Sequence, residues 1–223
     1  MNKLFLCCLI LASCSFCFAQ TGPVPFKFGT HVILIPAPTG FANEFGKDLV
    51  LTAKLKATME ANNELLAIYV TNDDIARRKR GASGPPGFYI AVISMKNVQN
   101  TDITAEDFKA LAEREGRSFP LEVDPKNKEI AATVDSVVNG KTGQKPVVLG
   151  WFDKQQDSFG AMLIGGTQFV GVPIAAASAY SYILVRKRIV YVIAFRIVND
   201  VTEVVTYADF IKKWSSQIKA ANK

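Results

Sequence analysis

The chain has 223 residues and a formal net charge of +6, from 26 basic and 20 acidic side chains. All four cysteines lie before residue 18, and there is one histidine. This composition excludes a thiol nucleophile, a redox cysteine pair and a thiolate zinc site in the body of the chain. It also excludes a metal site that needs several imidazoles from one chain.

The N-terminal segment predicts export. Lys3 is followed by an apolar run at residues 4–12, and Cys17-Phe18-Ala19 ends in the small-x-small pattern of a secretory signal peptide. Residues 11–14 (LASC) also resemble a bacterial lipobox, which would lipidate Cys14. Aromatic residues follow Cys14 where a lipobox would precede a polar tether, so we favour cleavage after Ala19. We expect a periplasmic or secreted protein, with a lipid anchor at Cys14 as the alternative.

We divide the chain into a signal peptide (1–19), a Pro/Gly-rich segment (20–30) and a single α+β domain (31–223). Without cysteines after residue 17, the domain cannot depend on disulfides, so its stability must come from burial of apolar side chains. About half of the residues are apolar, 49% of the chain, which is ordinary for a globular domain with one core.

The first half of the domain predicts three strands and two helices. Apolar and branched residues indicate strands at 31–35, 64–71 and 87–95. Within the segment 47–60, residues 51–60 alternate like a strand, but they are mostly good helix formers, so we predict a helix there. Thr104 is the predicted N-cap of a second helix, with Asp107 three residues later and a stop at Gly116.

The second half predicts two hairpins and a final helix, after an element of uncertain type at 129–138. The first hairpin turns at 153–157, and the second turns at Arg186-Lys187-Arg188. A glycine-containing stretch at 163–172 is interpreted as a flexible connection between them. Thr206 is the predicted N-cap of the final helix, and its apolar face is formed by Tyr207, Phe210, Ile211, Trp214 and Ile218.

These elements predict an α+β fold, an antiparallel sheet of about five to seven strands with two or three helices packed on it. A membrane-inserted component through residues 159–185 is the alternative, because residues 158–185 carry no charge and precede a basic triplet. Glycine and proline residues divide this run into two strand-sized pieces, so we favour strands and no transmembrane span after removal of the signal peptide.

The order of the segments HVILIPAPTGF, LLAIYV, DFKAL, GWFDKQQDSFGAML and VRKRIVYVIAF, followed by a Trp-bearing helix, resembles a group of uncharacterised exported bacterial α+β proteins. It is similar, more loosely, to the Mog1/PsbP-like sandwich. The resemblance covers most of the chain after the leader and rests on hydrophobic pattern. It implies a fold and a role in the envelope or as a scaffold, and it transfers no catalytic residue.

A basic cluster is formed by Arg77, Arg78, Lys79 and Arg80, and residues 81–87 (GASGPPG) follow it. It is a candidate anion-binding loop, although the charged end of a helix exposed to solvent gives the same pattern. An envelope protein or an anionic cell-surface polymer is the kind of partner we consider. Nucleic acid is not expected, because the chain is predicted to be exported.

Catalysis has few candidates. His31 could act as the base of a periplasmic hydrolase, but the chain has no Gly-x-Ser-x-Gly motif and His31 opens an apolar strand, so we favour a structural histidine. Carboxylate pairs at Asp73-Asp74, Glu106-Asp107 and Asp153 with Asp157 suit turns and helix starts better than chemistry. We predict neither a metal site nor a cofactor.

Aromatic side chains offer a candidate cleft between sheet and helix, at Trp151, Tyr180, Tyr182, Tyr191 and Trp214. We favour packing in the core as the explanation, because aromatic side chains dominate core burial. The sequence therefore predicts an exported bacterial envelope protein that acts as a non-enzymatic binding or assembly module, with the hydrolase and the membrane-inserted component as alternatives.

Overall fold

The computed structural model describes residues 23–84, 86–140, 145–169 and 172–223, with the side chains of 167–169 and 172 left aside. The predicted signal peptide and Cys14 lie outside the described residues. The strands are β1 (Val24–Phe28), β2 (His31–Ile35), β3 (Phe41–Asn43), β4 (Asn63–Thr71), β5 (Phe88–Met95), β6 (Val147–Lys154), β7 (Ser158–Phe169), β8 (Val172–Val185) and β9 (Arg188–Val198). The helices are α1 (Leu49–Thr58), α2 (Asn72–Lys79), α3 (Ala105–Gly116), α4 (Lys128–Val138) and α5 (Val201–Ala220).

The main sheet has seven strands in the order β3-β4-β5-β9-β8-β7-β6, and every neighbouring pair is antiparallel. β1 and β2 form a separate two-stranded sheet, so the Pro/Gly-rich segment before residue 31 contributes a strand. The predicted α+β class is confirmed. Within the described residues there are five helices, where the sequence had suggested two or three.

One face of the main sheet, the covered face, lies against α4, α5 and the β1–β2 hairpin. Its core includes Ile33, Val134, Val192 and Trp214, all at most 1% exposed. Helix α5 begins at Val201 with Asp200 as its N-cap, so the prediction that Thr206 caps it is wrong. Asp200 accepts from the backbone N–H of Glu203, and Val204, two residues before Thr206, is already fully buried in the helix.

The opposite face, the open face, carries α1 and α3. Helix α1 packs Leu51 on the β4–β5 side of the sheet, and α3 packs Phe108 on the β7–β8 side. Asp48 caps α1, and Thr104 caps α3 in the reciprocal capping box that the sequence predicted. The element of uncertain type at 129–138 is helix α4, capped by Asn127.

The two predicted hairpins are present, with strands longer than expected. β7 continues through Gly165 and Gly166, which pair with Ala176 and Ala175, so these glycines are not the predicted flexible connection. A Cβ at Gly165 would lie 3.3 Å from the Pro146 Cα, which explains why glycine suits this strand position. Residues 159–185 therefore lie mainly in strands, and among the described residues no helix is long and apolar enough to cross a membrane.

Candidate functional site

The open face bears a cluster of aromatic side chains that we call the tyrosine face: Tyr89, Tyr180, Tyr182, Tyr191 and Phe195. All five are half-buried. They lie on β5, β8 and β9, where the apolar clusters under α1 and α3 meet. On the covered face, the neighbouring side chains of the same strands, such as Ala179 and Val192, are at most 1% exposed. The sheet therefore has one face closed by helices and one face that leaves aromatic surface accessible.

Strand register brings these rings together. Tyr89 lies opposite Phe195, and their rings stack with centroids 5.3 Å apart. Tyr182 lies opposite Tyr191, and their rings stack at 4.8 Å with an angle of 12° between planes. The result is two stacked pairs on adjacent strands, a rigid arrangement that costs little side-chain entropy when something binds.

The tyrosine hydroxyls are held neutral. Burial raises the pKa of Tyr191, and its neighbours Tyr182 and Tyr180 raise it further. Burial also raises the pKa values of Tyr89, Tyr180 and Tyr182. The four phenols therefore remain O–H donors throughout the physiological pH range. A surface of flat rings with neutral hydroxyls suits contacts that combine apolar burial with hydrogen bonds.

A cavity of ≈ 300 Å³ adjoins the tyrosine face at Phe195. Leu163, Gly165, Ser178 and Pro146 contribute to its lining. Its size is at the lower limit for a small-molecule pocket, and an anchoring side chain from a partner would also fit.

The structure brings together four of the five aromatic residues predicted to form the cleft. Tyr182 and Tyr191 stack, and Trp151 belongs to the same apolar cluster as Tyr182. Trp214 lies on the covered face, 1% exposed and edge-on to Tyr69. Its indole N–H donates to the Pro36 carbonyl at 2.8 Å, which is a structural contact.

The basic cluster forms the end of helix α2. Arg77 pairs with Asp74 at 2.8 Å, and Arg78 pairs with Asp48 at the start of α1. Lys79 and Arg80 are exposed. Arg78 therefore joins α2 to the start of α1, the Arg77–Asp74 pair lies within α2, and Lys79 and Arg80 present charge to solvent.

His31 opens β2 as predicted, and its Nδ1 lies 3.3 Å from the hydroxyl of the adjacent Thr30. The carboxylates have local partners. Asp74 accepts from Arg77, and Asp107 completes the capping box of α3. Asp157 pairs with Lys219 at 2.5 Å.

Asp153 differs from the other carboxylates. It is 1% exposed, and both of its oxygens lack a hydrogen-bond partner within the described part of the chain. Asp153 pairs with Gly160 of β7, next to an irregularity in the register between β6 and β7. Among the described residues, no hydroxyl and no cationic side chain lies within bonding distance of this carboxylate.

Sequence reasoning missed Tyr89 and Phe195. Tyr89 begins an alternation with Ala91 and Ile93 on β5, and Phe195 continues the alternation of Tyr191 and Ile193 on β9. Those period-two patterns place each set on one sheet face. Combining them requires knowing that β5 pairs with β9. In that pair Tyr89 lies opposite Phe195, which is 106 residues later in the chain, and the pattern does not specify such a distant pairing.

No protein-family model matches the chain, and no curated protein matches it. Among solved structures, the Saccharomyces cerevisiae Ran-binding protein Mog1p is similar to it, with 12% sequence identity and a TM-score of 0.32. The match covers 91% of this chain and 93% of that chain. The likeness to a Mog1/PsbP-like sandwich is therefore loose, and it carries no information on function.

Proposed function

We propose that the chain is an exported envelope protein that acts by binding a protein partner, and that the tyrosine face is its contact surface. The observation that carries this proposal is the accessible aromatic cluster on the open face, beside a covered face that is fully packed. Tyrosine is enriched in protein interfaces because its ring buries apolar area while its hydroxyl still bonds.

The geometry favours a protein partner over a small ligand. The two stacked pairs form a surface, and the adjoining cavity of ≈ 300 Å³ is small. An interface of this kind combines a flat aromatic centre with a recess that accepts one anchoring side chain. Export is supported by the leader-like residues 1–19, and cleavage after Ala19 would release the binding domain.

Photocrosslinking in the cells that produce the protein tests the contact surface. Benzoylphenylalanine replaces Tyr180 in the full chain, and the same group at the exposed Lys212 on α5 is the control. We expect a discrete crosslinked protein from position 180 alone, which disappears when Tyr191→Ala is added. Equal crosslinking from both positions, or persistence of the product with Tyr191→Ala, would refute the tyrosine face as the contact surface.

Intact mass and cell fractionation test export. We expect a chain that begins at Gln20 in the soluble periplasmic or culture fraction. A lipidated Cys14 in the membrane fraction would show that the protein is tethered to the membrane and is not a soluble exported chain. An uncleaved chain in the cytoplasm would overturn export. A hydrolytic activity of the purified protein that is lost with His31→Gln, while the fold is kept, would favour the hydrolase instead.

A further inference from the structure

The first turn of helix α1 exposes two adjacent aliphatic side chains. Leu49 is 72% exposed and Val50 is 64% exposed, the highest values among the exposed large hydrophobic residues of the described chain. The packing of the helix explains why. Leu51 is buried against the sheet and Leu55 packs beside it, so the residues that precede Leu51 point outward.

The position of this turn is fixed. Asp48 accepts from the backbone N–H of Leu51 as the N-cap, and it also pairs with Arg78 of α2. Helix α1 is therefore anchored at its start to a neighbouring helix. Leu49 and Val50 cannot be buried by a small rotation of the helix, because Leu51 would then leave the core.

Cations surround the two aliphatic residues. A shallow depression of ≈ 400 Å³ between α1 and α2 is lined by both of them together with Lys47 and Lys79. A second depression, of ≈ 230 Å³, places Lys54 beside Val50. Lys54 and Lys79 are exposed, and neither forms an ion pair with a carboxylate of the described residues.

The acidic groups nearby do not cancel this charge. Asp48 is paired with Arg78, and Glu44 lies 3.8 Å from the Lys47 ammonium. Lys54 and Lys79 thus remain as the uncompensated charges next to Leu49 and Val50. We call these four residues the α1 patch.

We propose that the α1 patch docks the protein onto a lipid bilayer that carries anionic headgroups. Aliphatic side chains that project from a rigid helix end can enter the boundary between headgroups and acyl chains. Lysines at their edge then lie at the level of the lipid phosphates, where each contributes about 1 kcal/mol of attraction. The combination distinguishes a membrane from a soluble polyanion, which would use the cations and leave Leu49 and Val50 in water.

This inference does not depend on the proposed function, because the α1 patch and the tyrosine face share no residue. Docking through α1 would hold the domain at the membrane while the tyrosine face stays available to a partner. Each surface can therefore be altered separately.

Vesicle flotation tests the proposal with the full chain, purified in the form that the producing host makes. One set of vesicles is pure phosphatidylcholine, and the other contains phosphatidylglycerol as well. The variants are Leu49→Ser with Val50→Ser, and Lys54→Glu with Lys79→Glu. All forms share the same N-terminal segment, so any contribution from that segment is common to them.

Two matched control variants make the same kinds of substitution at exposed positions outside the α1 patch. Val32→Ser with Val148→Ser removes aliphatic side chains that are 45% and 43% exposed, and Lys212→Glu with Lys213→Glu reverses two exposed charges on α5. Urea denaturation of each variant verifies that it is folded.

We expect the unaltered protein to prefer the anionic vesicles. Loss of the two aliphatic side chains should weaken binding by about tenfold, and reversal of the two lysines should weaken it by at least about tenfold. The controls should bind like the unaltered protein.

Three results would overturn the proposal. Equal binding to both kinds of vesicle would exclude recognition of anionic lipid, and unchanged binding with Leu49→Ser and Val50→Ser would show that the cations act alone, as with a polyanion. A dimer in solution that dissociates with the same two substitutions would show that a second copy of the chain covers the patch.

Discussion

Trp214 is the side chain whose replacement best separates a structural role from a role in a cleft. It is 1% exposed, its ring meets Tyr69 edge-on at 5.8 Å, and its N–H donates to the Pro36 carbonyl at 2.8 Å. Trp214→Phe keeps an aromatic ring for the contact with Tyr69. It removes the hydrogen bond that joins helix α5 to the end of the β1–β2 hairpin, and it leaves unfilled volume.

The expected loss follows from these two contacts. A hydrogen bond of this kind contributes about 1 kcal/mol, and the missing part of the indole adds a cavity cost of about 1 to 2 kcal/mol. Trp214→Phe should therefore lower the free energy of unfolding by about 2 to 3 kcal/mol. With a urea m-value of about 2.5 kcal/mol/M, the midpoint should fall by about 1 M.

Urea denaturation followed by circular dichroism measures this shift, and the remaining Trp151 provides an independent fluorescence signal. Lys212→Ala, on the exposed side of the same helix, should change the free energy of unfolding by less than about 0.5 kcal/mol. If Trp214→Phe left the midpoint within that range while partner crosslinking from position 180 was lost, the structural role argued for Trp214 would be refuted.

Three further changes test local features of the fold by the same urea assay. Thr104→Ala removes the capping box of α3 and should lower the free energy of unfolding by about 1 kcal/mol. Ser216→Ala on α5 is the control and should be nearly neutral. Equal losses in the two variants would contradict the capping argument. Lys187 has a φ of +62° in the β8–β9 turn, and Lys187→Gly removes this backbone strain. The substitution should stabilise the protein by about 1 kcal/mol, because the exposed ion pair of Lys187 with Asp102 contributes little. A loss of stability would show that the turn is not strained. Burial raises the pKa of Asp74, but hydrogen bonds from Arg77, Thr71 and two backbone N–H groups outweigh it and lower the pKa below its usual value. Asp74 therefore stabilises the folded protein at pH values above its unfolded pKa of about 3.9, and this stability is lost as the pH falls through its folded pKa. Asp74→Asn should reduce the pH dependence of the urea midpoint below about pH 4. An unchanged pH dependence would contradict this argument.

The local elements were largely predictable, because short-range rules specify them. Runs of apolar, branched and aromatic residues predicted β4 and β5, and Thr104 with Asp107 predicted the start of α3. The start of α5 was misplaced because Thr206 and Asp200 are both good N-caps. Burial of Val204 on the covered face decided in favour of Asp200.

The candidate site was only partly predictable. The list of aromatic residues contained Tyr180, Tyr182 and Tyr191, but it also contained Trp214, which lies on the other face. A list made from the sequence cannot assign residues of a helix and of a sheet to the same face. That assignment requires the packing of α5 on the sheet.

The sequence by itself determined the absence of cysteine chemistry after residue 17, the leader-like N-terminus and the type of most elements. These depend on composition or on neighbours within a few residues. Tertiary structure alone decided that β5 pairs with β9, that one sheet face is covered while the tyrosine face stays accessible, and that Leu49 and Val50 point to solvent. The reason is that face and exposure are set by contacts between distant segments, whose free energies depend on the whole fold.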